Sequence, residues 1–109
     1  MTHAEFLVVT TTYDDEQQAR ALAEAAVGER LAACAQVHPV SSVYRWEGEV
    51  RSDAEWRVDL KTRAALAERL VAFIGERHGY DLPEIVAVPV VTGSAAYLEW
   101  LRAETSGRA

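Results

Sequence analysis

Between Arg45 and Lys61 every odd position is charged, while the even positions include Trp46, Val50, Ala54, Trp56, Val58 and Leu60. Successive side chains of a strand point to opposite faces, so this alternation predicts a ribbon with one wet and one covered face. The stretch Val43–Thr62 far exceeds the roughly 5–6 residues of an ordinary strand and must turn back on itself. Either Glu47-Gly48-Glu49 or Arg51-Ser52-Asp53 can make the turn. Keeping all charges on one face needs an odd loop or a bulge, for which Gly48 is the cheapest site. The aromatic residues Tyr44, Trp46 and Trp56 on this hairpin call for a cover. It comes from the chain's own helices or from a neighbouring subunit.

The flanking patterns supply the remaining elements. Glu5–Tyr13 is β-branched and aromatic without alternation, which predicts a central strand. Asp14 or Asp15 then caps a helix whose stripe is Ala19, Leu22, Ala23, Ala26 and Val27, with Gly28 as its stop. Leu31–Val40 reads as a second strand, kinked or bulged at Pro39. Thr62 is a candidate cap for a second helix striped by Leu66, Leu70, Phe73 and Ile74. Leu82–Thr92 predicts a buried strand with Pro89 at an edge or bulge. Ala95–Ala103 predicts a last helix with Tyr97 and Trp100 facing the core, followed by a frayed tail at Ser106–Ala109. The order is βαββαβ plus a C-terminal helix, an α+β class. Right-handed crossovers make the first and third strands neighbours, giving a ferredoxin-like sandwich with an extended hairpin between its second and third strands. Two helices cover one sheet face and the other is left bare, which favours oligomers.

Composition narrows the class. With 109 residues, 50% of them hydrophobic, the chain suits one domain spanning 1–109. A net charge of −6 argues against nucleic acid as partner. No apolar run approaches the ~20 residues of a membrane span. The single cysteine, Cys34, allows no internal disulfide and points to an intracellular protein, which we expect to be soluble and cytoplasmic.

Candidate chemistry is sparse. Cys34 is either a small apolar residue or a metal ligand, and His38, four strand residues away, is too distant to share its ion. His78-Gly79-Tyr80-Asp81-Leu82-Pro83-Glu84 offers an imidazole, a phenol and carboxylates, or else His78 caps a helix end and Glu84 satisfies backbone donors. Lys61 and Tyr80 are candidates for a ligand cleft. Catalysis has little support: no nucleophile stands beside a base, and no Gly-rich phosphate loop or zincin spacing is present.

Leu31-Ala32-Ala33-Cys34, Tyr44-x-Trp46-x-Gly48, Glu55 with Leu60-Lys61-Thr62, His78-x-Tyr80-x-x-Pro83-Glu84-Ile85 and Tyr97-Leu98-x-Trp100 together resemble the CutA divalent-cation tolerance family. The resemblance implies a non-catalytic homotrimer, similar in architecture to nitrogen-regulatory PII trimers, and a role in divalent-metal, chiefly copper, tolerance. It implies no required cofactor, and copper or another divalent cation as the ion the protein can bind. Carried over by position, it marks Cys34, His78 and Glu84 for metal, and Tyr44, Trp46 and Trp56 for the trimer interface. A PII-like small-ligand sensor, or a trimer that anchors another protein, are the alternatives. Gly79 stands where the family favours proline, and Gln36 where asparagine is common.

Overall fold

In a computed structural model that describes residues 4–105, a four-stranded antiparallel sheet carries three α-helices. The tail expected at Ser106–Ala109 lies outside the described residues. The elements are β1 (Phe6–Tyr13), α1 (Glu16–Gly28), β2 (Cys34–Trp46), β3 (Glu49–Arg63), α2 (Ala67–Glu76), β4 (Ile85–Pro89) and α3 (Ala95–Glu104). Strand order β2-β3-β1-β4 puts β1 beside β3, which is the ferredoxin-like arrangement expected of two right-handed crossovers.

The period-2 pattern sorts the sheet residues. Val9 and Tyr13 of β1 pair with Leu60 and Trp56 of β3, and with Val58 they face α1 and α2. Ala19, Leu22, Ala23 and Ala26 bring α1 close to this face, and Leu70 and Ile74 anchor α2 beside it. Asp15 caps α1 by accepting from the Gln18 amide at 3.0 Å. Its C-terminal turn is closed not by Gly28 but by Arg30, which takes the left-handed conformation at φ 60 while Leu31 donates back to Ala26.

Several expectations change. Thr62 is no helix cap: β3 continues through it, it is wholly buried, and its hydroxyl donates to the Leu31 carbonyl at 2.6 Å. A 3-10 turn, Ala64–Leu66, leads into α2 instead. Pro39 breaks nothing, because β2 is an edge strand and its ladder to β3 runs unbroken from Cys34↔Lys61 to Trp46↔Glu49. β4 is an edge strand as well, with Val86 and Val88 exposed, so it is not buried within one chain. On α3 the core contact is Leu101, and Tyr97 and Trp100 remain exposed.

The hairpin turn is the two residues Glu47-Gly48, both with positive φ (52 and 81), the mirror-image geometry that matches strand twist. An even loop without a bulge divides the alternating pattern rather than preserving it. Trp56 stays on the helix side against the core. Tyr44 and Trp46 fall on the opposite face with Arg51, Asp53 and Glu55. Charges and aromatic rings therefore share one surface, contrary to the expected segregation.

Candidate functional site: a cleft at the root of the hairpin

β1 ends at the pair Tyr13↔Trp56, while β2 and β3 run on together from Val40↔Glu55 to the turn. At ~3.3 Å per residue this unaccompanied ribbon projects roughly 20 Å. Where it leaves the sheet, the 78–84 loop crosses the end of β1, and a cleft of ≈ 700 Å³ opens between loop and ribbon.

His78 fixes the loop. Its ring stacks on Tyr13 with centroids 4.1 Å apart and planes 7° apart. Nε2–H donates to the Thr12 carbonyl at 2.7 Å, and Nδ1 accepts from the Tyr80 amide at 3.2 Å. A carbonyl only accepts and an amide only donates, so both contacts together require the Nε2–H tautomer. This aims Tyr80 across the cleft, where its hydroxyl donates to Glu55 Oε2 at 2.8 Å. The other Glu55 oxygen accepts from Ser42 at 2.7 Å, and the Tyr44 hydroxyl donates to Asp53 one step along the same face. Burial, then the Glu55 carboxylate, push the Tyr80 phenol well above the usual tyrosine range; the Asp53 hydrogen bond raises Tyr44. Both phenols thus stay protonated, and their hydrogen bonds orient Glu55 and Asp53. Asp14, Asp81 and Glu84 complete an acidic lining in which Arg51 is the single cation, beside the rings of Trp46, Tyr44 and Tyr80.

The expected site residues separate. Tyr80 and Glu84 line the cleft, with His78 behind it. Cys34 pairs with Lys61 at the other end of the sheet, whereas Thr12, which holds His78, pairs with Arg57. Four strand residues, about 13 Å, divide the two rows. Lys61 reaches α3 instead, its Nζ 5.3 Å from the Tyr97 ring centroid. Among the described residues no three His, Cys, Asp or Glu side chains of one chain gather as a metal site. Sequence reasoning weighed His78 as ligand or cap and missed its role as a strut. It also missed Ser42, Asp53 and Glu55 as cleft residues, which only the parity of the turn brings together. Among the described residues no helix is long and apolar enough to cross a membrane.

Comparison with known proteins agrees with this architecture. The family model described as CutA1 divalent ion tolerance protein matches residues 7–104. The chain is 43% identical over 100 residues to the chloroplastic protein CutA of Arabidopsis thaliana, covering 91% of this chain but only 55% of that one. It thus spans about half the length of that plant relative. It is also 43% identical over 99 residues to the divalent-cation tolerance protein CutA of Thermus thermophilus, covering 90% and 96% of the two chains. Among solved structures, CutA from Synechococcus elongatus superposes with a TM-score of 0.91 at 34% identity over 97% of this chain and 95% of that one. CutA1 from Oryza sativa gives 0.90 at 38% identity, covering 99% and 100%.

Proposed function

This chain belongs to the CutA1 divalent-ion tolerance family, and from that premise we propose that it serves divalent-cation tolerance without catalysis. In this reading it acts as a cytoplasmic homotrimer that holds copper or another divalent cation where subunits meet. The observation that carries the assembly is the unaccompanied ribbon: Val43 and Val50 are 70% and 66% exposed on it, with Trp46 and Tyr44 also uncovered. Together with Val86 and Val88 on the edge strand they make more apolar surface than a solitary chain ordinarily leaves to water. In this reading neighbouring subunits cover Val43, Val50, Val86 and Val88 and leave the cleft side of Trp46 and Tyr44 open.

Cys34, His78 and Glu84 are the metal donors of this reading. Within one chain the thiol and the imidazole are too far apart for one ion, so the donors come from different subunits. His78 would offer Nδ1, which now accepts from the Tyr80 amide, and a Cys34 thiolate donor would favour copper. Light scattering is expected to give three times the chain mass of 12.0 kDa. Calorimetric titration with Cu(II) is expected to show at least a tenfold loss of affinity in Cys34→Ser and in His78→Ala. A monomer at micromolar concentration overturns the assembly. Unchanged affinity in the double variant overturns the donor set.

A further inference from the structure

The cleft at the root of the hairpin meets that metal reading at Glu84 on its rim and at His78 behind it. Its volume of ≈ 700 Å³ is in the range of metabolite sites. We propose that it binds an organic cation of metabolite size, an ammonium or guanidinium group on an aliphatic stem, between the rings of Trp46, Tyr44 and Tyr80 and the carboxylates of Glu55 and Asp53.

Three features select this class. Charge is the first: the walls carry carboxylates against one guanidinium, so an anion is repelled and a cation is drawn in. The second is the aromatic share of the wall. Indole and phenol faces attract an organic cation, which sheds its weak hydration readily, more than a strongly hydrated metal ion. The third is preorganisation. Glu55 is held through both oxygens by Ser42 and Tyr80, and Asp53 by Tyr44, so the charges stand in place before a ligand arrives. His78 serves as a positioning residue, because the tautomer it adopts sets the direction of Tyr80.

Agmatine is a suitable probe, with magnesium chloride as the inorganic dication and butylurea as a neutral analogue of its guanidinium end. Titrated calorimetrically into the full chain near 150 mM salt, agmatine is expected to bind with submillimolar affinity, and butylurea not at all. Glu55→Gln keeps an oxygen to accept from Tyr80 but loses the charge, and is expected to weaken agmatine at least tenfold. Trp46→Leu is expected to weaken it severalfold, with light scattering run on each variant to exclude a change of assembly. Glu76→Gln, on the exposed end of α2, controls for the general acidity of the surface and is expected to change nothing. Absence of agmatine binding overturns the proposal. So does equal weakening by Glu55→Gln and Glu76→Gln, or magnesium matching agmatine at equal concentration. Copper titration of Cys34→Ser reports on the metal reading separately, since Cys34 lies outside the cleft, in the row of Lys61 at the other end of the sheet.

Discussion

Thr11 is wholly buried on the helix-facing side of β1, and its hydroxyl has no hydrogen-bond partner. Valine has nearly the same shape, suits a strand and brings no polar atom to desolvate. Thr11→Val is therefore expected to stabilise the fold by about 1 kcal/mol in urea denaturation. His78 sits at the opposite extreme, with two hydrogen bonds and a stacked ring. Its replacement by Ala is expected to cost about 2–3 kcal/mol, and to raise hydrogen exchange at Tyr80 most of all. Phenols set the alkaline limit. Burial raises Tyr13 and Tyr80, so the folded chain keeps protons that the unfolded chain releases near pH ~10. Above that pH the unfolded state binds fewer protons, and stability falls as pH rises; below it the contribution is intact. The urea midpoint is expected to drop between pH 9 and pH 11, and Tyr80→Phe to make that drop shallower.

At the scale of elements the hairpin turn is the most sensitive point. Gly48 adopts φ 81 and Glu47 φ 52, and an L side chain pays for the left-handed region at either place. Gly48→Ala is expected to destabilise by about 1 kcal/mol and Glu47→Asn to stabilise by a few tenths, both read from thermal unfolding. The same turn marks where the sequence stopped being legible. The length of the ribbon, the apolar run of β1 and a cap at Asp14 or Asp15 were all visible as patterns, because each depends on neighbours in sequence. Turn parity was not. A two-residue loop and a bulged one read alike, yet they place Tyr44 and Trp46 on opposite faces and decide whether the cleft exists. Thr62 misled for a related reason: a threonine before helix formers looks like a cap, but pairing with β1 carried the strand past it. Tyr97 and Trp100 kept helical spacing without a core to meet, since α3 is fastened by Leu101, by Arg102 on Glu5 at 2.7 Å and by Arg63 on Thr105 at 3.0 Å.

For the whole molecule, the projecting ribbon and the β4 edge leave Val43, Tyr44, Trp46, Val50, Val86 and Val88 exposed. In the trimeric reading, charging both faces of the ribbon with Trp46→Glu and Val50→Asp is expected to give a folded monomer by light scattering, with the far-ultraviolet spectrum retained. Strand order carries a further consequence. β1 is made first, yet it occupies the middle of the sheet, between β3 and β4. Its flanks are closed by Trp56–Arg63 on one side and Ile85–Pro89 on the other. While the ribosome is still delivering those segments, the β-branched run from Val8 to Thr12 has only transient company. Emerging polypeptides on one messenger are then exposed to each other through this strand, so crowded synthesis, more than the finished fold, is where aggregation threatens.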